Sequence, residues 1–449
     1  MCRAFLWMVA LLVLLLDCGF LFGSVGRTDT PTEETPPAPR MPAGKPALGE
    51  PTGPLTLSEA IAVVLLRNPD LAVFAWEVRA AEARLLRAGL LPNPAIELEF
   101  EDLGGSGVAS GFDSTETTLA LSQVIELGGK RMKRRGLAAS DRDLRIWDYE
   151  AKRVDVLTAV AAAYVEVLAD QQRLALARET VALAERVFAT VVARVEAGKV
   201  SPIEKTRSRV ELAKAHLAQA KTERQLVTAR HRLAATWAST TPSFEKVMGD
   251  LDSVVTPPRL QTLVERLSDN PDLARWAAEM SRRQRAVSVA RAAAVPDVTV
   301  TAGVRHLAET NDVAAVAALS VPLFIFDNKQ TGIQEAEIGV TQGMQLRQAA
   351  EVKVRLALVE TYQRLQTAYV EIQAFRDAVL PSARIAFDAV SEAYRIGKLG
   401  ALDLLDSQRT LFEARRQHVE ALAAYHQAVA AVERLIGGPF KALAFRSSK

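Results

Sequence analysis

The sequence predicts a mainly α-helical protein built from a duplicated unit, in which one helix, two short strands and a long helical hairpin follow one another. Three features of the 449 residues support this fold class. Short strings recur about 200 residues later, two pairs of segments alternate apolar and polar residues, and the longest segments keep a helical apolar spacing.

The duplication is visible in short matching strings. Asn68–Ala72 (NPDLA) recurs at Asn270–Ala274, an offset of 202 residues from position 68 to position 270. Ala197–Lys199 (AGK) is matched by Ile396–Lys398 (IGK), an offset of 199 residues. The two halves of the chain therefore share one plan.

The first half opens with a predicted helix from Ser58, as its N-cap, to Leu91. The following segment alternates strictly, which predicts a strand with one apolar and one carboxylate-lined face. Its apolar residues are Ile96, Leu98 and Phe100, and its acidic residues are Glu97, Glu99 and Glu101. Three further strands are predicted at Glu116–Gln123, Val298–Arg305 and Val313–Val321.

Such two-faced strands fit a membrane-spanning β-barrel, and they equally fit hairpins half-buried on a soluble core. Four strands are too few for a barrel, since the smallest has about eight. An open edge in hydrocarbon would also expose unpaired backbone groups. If these strands enter a membrane, several chains must share one barrel.

Long helices account for most of the remaining residues. Apolar residues recur every three to four positions from about Lys130 to Ala197 and again in the second half, as in a helix with one buried stripe. A stretch of about 68 residues reaches about 100 Å at 1.5 Å per residue. Pro381 should kink the second long stretch or mark a joint in it. Shorter return helices are predicted at Pro202–Trp237 and Ala401–Leu435.

The amino terminus resembles a secretory signal. Arg3 precedes an apolar run, Phe5–Leu16, which is too short to cross a bilayer core of about 30 Å as a helix. Leu15–Cys18 resembles a lipoprotein cleavage box, although Asp17 replaces the usual small residue. Cys18 is therefore a candidate lipidation site, and plain cleavage near Gly23 is the alternative.

These observations divide the chain into six segments. They are a signal peptide (1–23), a Pro-rich linker (24–54), the first repeat (55–237), a mid-height connection (238–263), the second repeat (264–437) and a C-terminal tail (438–449).

Composition argues against several classes of function. The 55 basic and 53 acidic residues nearly balance, unlike in a nucleic-acid-binding protein. Both cysteines, Cys2 and Cys18, lie in the first eighteen residues, so the body has no disulfide or Cys-ligated metal. No phosphate loop, nucleophile elbow or metal-spaced histidine cluster is present, so we expect no enzyme and no cofactor. A periplasmic coiled-coil adaptor or scaffold is the remaining rival, but it would lack the matching strand pairs.

Four strings resemble one known family. They are LLPNPAIELEFEDLGG from Leu90, LSQVIELGGKR from Leu121, RVEAGKVSPIEKTRSRVELAKA from Arg194 and VPLFIFDNKQTG from Val321. With the duplication, the chain resembles the TolC-like outer-membrane factors of tripartite efflux pumps over about Leu55 to Gly437. Within them it resembles the branch serving cobalt–zinc–cadmium exporters.

The resemblance implies a homotrimer in the outer membrane of a Gram-negative bacterium. Twelve strands would form a β-barrel in the lipid, and twelve long helices would form an α-helical barrel, a tunnel across the periplasm. The partners implied are a periplasmic adaptor (membrane fusion) protein and an inner-membrane RND transporter. The family branch points to heavy-metal cations as substrate, and drugs or other organic compounds are the alternative.

The resemblance also assigns residues at the periplasmic tip. Asp403 and Asp406 match pore-facing carboxylates, although acidic residues there also favour a helix dipole. Tyr394 and Glu204 match a latch whose arginine partner is replaced here by Leu399. The adaptor would dock at the two Gly-Lys turns, at Gly198, Lys199, Ser201, Gly397, Lys398 and Gly400. The strand carboxylates Glu97, Glu99 and Glu101 would line the barrel lumen.

Overall fold

The computed structural model describes residues 49–107 and 110–438. The proposed signal peptide, Cys18, most of the linker and nearly all of the tail lie outside the described residues. In chain order, the elements are β1 (Gly53–Leu55), α1 (Leu57–Arg67), α2 (Pro69–Ala88), β2 (Ala95–Glu101), β3 (Glu116–Ile125), α3 (Lys130–Glu196), α4 (Pro202–Ala235), β4 (Phe244–Val247), α5 (Leu260–Glu265), α6 (Pro271–Ala293), β5 (Val298–Leu307), β6 (Asp312–Ser320), α7 (Gln330–Ala374), α8 (Leu380–Arg395) and α9 (Ala401–Leu435). Among the described helices, none has both the length and the apolar character of a membrane-crossing segment.

The opening helix differs from the prediction. It begins one residue after Thr56, which is the true N-cap in place of Ser58. Thr56 Oγ1 accepts from Glu59 N at 3.3 Å, and Glu59 Oε2 accepts from Thr56 N at 2.8 Å, a reciprocal capping box. The helix also breaks at Asn68, because a residue before proline avoids the helical conformation.

The repeated Asn-Pro string has the same role in both halves. Asn68 Oδ1 accepts from Leu71 N at 2.8 Å, and Asn68 Nδ2 donates to Thr236 O at 2.8 Å. Asn270 Oδ1 accepts from the second residue of α6, at Asp272 N, and Asn270 Nδ2 donates to Leu435 O at 2.8 Å. Each asparagine therefore caps one helix and ties it to the end of that half's return helix.

The four long strands form one antiparallel sheet in the order β2-β3-β5-β6. Ile96 pairs with Leu121, and Leu121 pairs with Ala302, so the apolar residues of neighbouring strands share one face. The opposite face carries Glu97, Glu99 and the side chain of Arg305. The predicted strands and their alternation are confirmed, and β2 and β6 are the sheet edges.

The long helices follow the predicted plan. α3 runs unbroken for 67 residues, about 100 Å at 1.5 Å per residue. Its counterpart is interrupted by a π-helical turn at Phe375–Val379, between α7 and α8. Pro381 is near the start of α8 and has no N–H to continue the helical ladder. The predicted joint at Pro381 is confirmed.

The largest apolar cluster lies at mid-height, where the long helices meet the connection after α4. There β1 pairs in parallel with β4, and Tyr164 Oη donates to Leu55 O at 2.8 Å. Glu50 accepts from Trp237 Nε1 at 3.0 Å. The predicted linker boundary at residue 54 is therefore wrong, because β1 and Glu50 already belong to the folded body. The connection, predicted to be irregular, contributes a strand of its own.

Candidate tip gate and two-faced sheet

The two Gly-Lys turns have the same geometry. Gly198 and Gly397 adopt left-handed conformations with φ of 67° and 80°. The following lysines donate back to the preceding helix, Lys199 N to Arg194 O and Lys398 N to Ala393 O, both at 2.9 Å. This arrangement ends α3 and α8 with glycine in the conformation that side chains disfavour. Both turns are therefore sharp reversals at one end of the long helices.

The next helices begin with different caps. Ser201 Oγ accepts from Ile203 N at 3.4 Å at the start of α4. Gly400 N donates to Asp403 Oδ2 at 3.0 Å at the start of α9. The structure therefore brings every predicted docking residue to the two turns or to the helix starts that follow them.

Tyr394 is 4% exposed in a small cluster that joins the ends of α3, α8 and α9. The guanidinium carbon of Arg194 lies 4.2 Å from the centre of its ring. Arg194 Nη2 also donates to Tyr394 O at 2.7 Å and to Arg395 O at 3.3 Å, near the carboxyl end of α8. One arginine on the first hairpin therefore stacks on a tyrosine of the second hairpin and caps its helix.

Glu204 affects this tyrosine through its charge. Burial raises the pKa of Tyr394, the positive charge of Arg194 opposes that rise, and the negative charge of Glu204 adds to it. No hydrogen bond joins Glu204 to Tyr394 among the described residues; Glu204 Oε1 accepts from Arg207 at 3.3 Å instead. Within residues 49–107 and 110–438, the Tyr394 hydroxyl and Glu204 Oε2 are both buried without an assigned hydrogen-bond partner.

The two predicted pore carboxylates differ in their surroundings. Asp403 caps its own helix through Gly400 N, as the helix-dipole alternative requires. Asp406 is 67% exposed and pairs with Arg409 at 2.6 Å, one turn later on the same helix. Both carboxylates lie in the first two turns of α9, beside the buried tip cluster.

Part of the negative charge on the polar face of the sheet is neutralised. Ser122 Oγ donates to Glu97 Oε1 at 2.6 Å, and Arg305 pairs with Glu101 at 2.7 Å. Glu99 lies between them on β2, opposite Thr118. The three glutamates therefore share one face as predicted, but Arg305 reduces its net negative charge.

Sequence reasoning missed Arg194 and Arg305. Arg305 stands in a polar position of an alternating strand, and strand register alone brings it to Glu101. Arg194 precedes the Gly198 turn by one helical turn, a position from which a long side chain reaches a neighbouring helix end. Tyr394 is far from Arg194 in sequence, and Glu101 is far from Arg305. Neither pair could therefore be identified from residue spacing.

Comparison with known proteins decides the family. The outer membrane efflux protein family matches residues 60–239 and 262–438. The chain belongs to this family. The gap between the two matched segments contains β4 of the mid-height connection. Members of the family are channels rather than enzymes.

Two curated relatives and one solved structure are similar to this outer membrane efflux protein. It is 33% identical over 415 residues to the cobalt-zinc-cadmium resistance protein CzcC of Cupriavidus metallidurans, covering 92% of this chain and 95% of that one. It is 27% identical over 424 residues to the pyoverdine export outer membrane protein OpmQ of Pseudomonas putida, covering 86% of each. A crystal structure of CusC superimposes with a TM-score of 0.72 at 19% identity, covering 90% of this chain and 99% of that one. The predicted outer-membrane localisation and efflux function are confirmed.

Proposed function

We propose that three copies of this efflux protein form a closed duct that passively conducts metal cations from the periplasm to the outside. A periplasmic adaptor and an inner-membrane RND transporter would supply the substrate at the tip. The observation that carries the proposal is the four-stranded sheet, which has one apolar exposed face and an open edge on each side.

The apolar face of the sheet suits lipid. Ile96, Leu98 and Phe100 are 76%, 59% and 55% exposed, and they lie side by side with apolar residues of β3. Such a face is stable in hydrocarbon only when β2 and β6 find partners for their free backbone groups. Pairing β2 of one copy with β6 of the next would close twelve strands in a trimer.

Two of the helices also expose apolar faces that would pack against another copy of the chain. α4 exposes Ile203, Val210 and Leu217, which are spaced seven residues apart and lie on one face. α7 exposes Val352 and Leu356 on a single face of its own. Two different apolar stripes, joined head to tail, generate a closed ring when each copy is rotated by one third of a turn from the last. The tunnel would be the helical continuation of the barrel, with two equivalent halves per chain and the connection 238–263 at mid-height.

Metal cations are the substrate class that the comparisons favour. The match to the cobalt-zinc-cadmium resistance protein has higher identity and coverage than the match to the pyoverdine exporter. Carboxylates on the lumen side, such as Glu99 on the sheet and Asp406 at the tip, would raise the local cation concentration without fixing one ion. An organic substrate is the alternative, and a growth comparison separates the two.

The tip would be the gate. Asp403 and Asp406 would form two rings in a trimer, and Tyr394 with Glu204 would hold the turns together. Arg194 would supply the positive charge that Leu399 lacks, because it already joins the two hairpins within one chain. The adaptor would dock on the Gly198 and Gly397 turns and their neighbours.

We further propose that the signal peptide is removed on export, either just before Cys18, which then carries the lipid, or near Gly23. Incorporation of labelled palmitate into the wild type, and its loss in Cys18→Ser, would support lipidation. An unlabelled mature chain that begins near Ser24 would assign ordinary cleavage instead.

The deciding experiment measures mass and length of the detergent-extracted outer-membrane protein, by light scattering and negative-stain microscopy. We expect a trimer with a tunnel of about 100 Å. A soluble monomer would contradict the duct and favour a periplasmic scaffold. Expression with its pump should then restore growth in zinc, cobalt or cadmium; restored growth in organic toxicants alone would contradict the metal assignment.

A further inference from the structure

A cavity lined by arginines lies where the helices meet the sheet. It has a volume of about 420 Å³, opens to solvent, and is lined by the carboxyl end of α2, the start of α3 and the middle of α6. Arg84, Arg87, Arg134 and Arg282 are four of its eight lining residues, and Asp141 is the single acidic one. Four guanidinium groups around one space repel one another unless negative charge offsets them.

Two of these arginines are already held in place. Arg134 Nε donates to Ala88 O at 3.2 Å, and its Nη2 donates to Glu126 Oε2 at 3.1 Å. Arg282 uses Nε and Nη2 on Glu279, both at 3.0 Å. Glu279 also accepts from Arg283, so its charge is shared between two guanidinium groups. These contacts orient the walls of the cavity and leave Arg282 Nη1 without an assigned acceptor.

The other two arginines retain most of their donors. Arg84 and Arg87 are one turn apart on α2. Arg84 Nη2 approaches Asp141 Oδ2 only to 3.7 Å, which is an ion pair without a hydrogen bond. The side chain of Arg87 makes no ion pair or hydrogen bond in the described part of the chain. The cavity therefore has more positive charge than its carboxylates balance, together with unused guanidinium donors.

We propose that this cavity binds an oxyanion of the phosphate class through Arg84 and Arg87. Planar guanidinium groups bind phosphate oxygens through paired, charge-assisted hydrogen bonds. A bound phosphate also reduces the repulsion between the four arginines. The phosphate group comes either from a phospholipid headgroup, since the cavity adjoins the sheet, or from inorganic phosphate. The site does not depend on the substrate proposed for the duct.

Binding is measured by calorimetry on the full-length protein extracted in a neutral detergent. Two probes are titrated separately, inorganic phosphate and a water-soluble short-chain phosphatidylglycerol. We expect at least one to bind, and we expect Arg84→Gln and Arg87→Gln each to weaken that binding by about tenfold. The matched control is Arg79→Gln, which removes the same charge from the same helix. Arg79 pairs with Glu82 and does not line the cavity.

The two probes also distinguish the source of the anion. Binding of both probes supports a site for free phosphate, and binding of the phospholipid alone supports a headgroup site. Absence of both, or equal weakening by Arg79→Gln, would overturn the proposal in favour of general surface charge. Trimer mass and circular dichroism of each variant confirm that the fold is intact. A protein that binds phosphate but fails to assemble as a duct would contradict the proposed function and leave this site standing.

Discussion

At the tip, individual side chains connect helices that are far apart in sequence. Arg194 precedes the first turn, and Tyr394 precedes the second, 200 residues later. A cation stacked on an aromatic ring contributes about 0.5–2 kcal/mol, and the two bonds to backbone carbonyls add to it. Arg194 therefore adds a polar contact to the apolar tip cluster that joins the two hairpins.

Replacing Arg194 by Gln should loosen the tip, because both the ring contact and the bonds to α8 are lost. We expect single-channel conductance in planar bilayers to rise several-fold. Arg395→Gln is the matched control: its side chain is 73% exposed and pairs with Glu392 within its own helix. Equal conductance for the two variants would remove Arg194 from the gate.

His426 introduces pH dependence at mid-height. It is fully buried on α9, and its Nε2 donates to Leu251 O at 2.9 Å. Burial lowers its pKa below the ordinary value of 6.5, and the nearby Asp250 and Asp252 partly oppose this. The unfolded chain therefore binds more protons than the folded one at mildly acidic pH. The stability is fully present above pH 6.5 and is lost as the pH falls below it.

The thermal unfolding temperature should accordingly drop between pH 7.5 and pH 5. The free energy of unfolding loses about 1.4 kcal/mol for each unit by which folding depresses the pKa of His426. His426→Gln retains a donor for Leu251 O and should flatten this dependence. If the unfolding temperatures of the wild type and the variant fell in parallel with pH, another group would be responsible.

At the scale of elements, helix ends are set by short local motifs. The Asn-Pro string sets the start of α2 and of α6, and Pro381 sets the joint between α7 and α8. The predicted joint at Pro381 was right, since a missing N–H is a local property. The single predicted opening helix was wrong, since its apolar pattern continues across Asn68 and hides the break.

Removing the caps should loosen the helix starts in both halves. Asn68→Ala and Asn270→Ala each lose a cap and the bond to the return helix, at a cost of about 1–3 kcal/mol. The effect should be larger at Asn270, which is completely buried. Hydrogen exchange at the first amides of α2 and α6 measures it. Ser58→Ala is the control at an exposed position, and equal exchange in all three variants would refute the assigned caps.

At the scale of the whole molecule, assembly depends on surfaces that a single chain leaves apolar. Leu217→Glu on α4, or Val352→Glu on α7, would place a charge in the proposed contact between copies. Each should give monomers in light scattering of the detergent extract, because a buried unpaired charge is strongly unfavourable. Leu66→Glu on α1, outside both stripes, should remain trimeric. Trimers of comparable stability in all variants would contradict the proposed contact.

The sequence by itself determined the duplicated order of elements, the two faces of the strands, the length of α3 and the joint at Pro381. These features follow from periodicity and backbone chemistry, which act between residues a few positions apart. It also predicted that Glu97, Glu99 and Glu101 share a face and that the Gly198 and Gly397 turns are equivalent.

Only the tertiary structure decided which distant side chains meet. It placed Arg194 on Tyr394, Arg305 beside Glu101, β1 beside β4, and four arginines around one cavity. Such contacts join residues separated by up to about 200 positions, and no local pattern marks them. The physical reason is that helix packing and strand register bring these side chains together, and both arise only when the whole chain has folded.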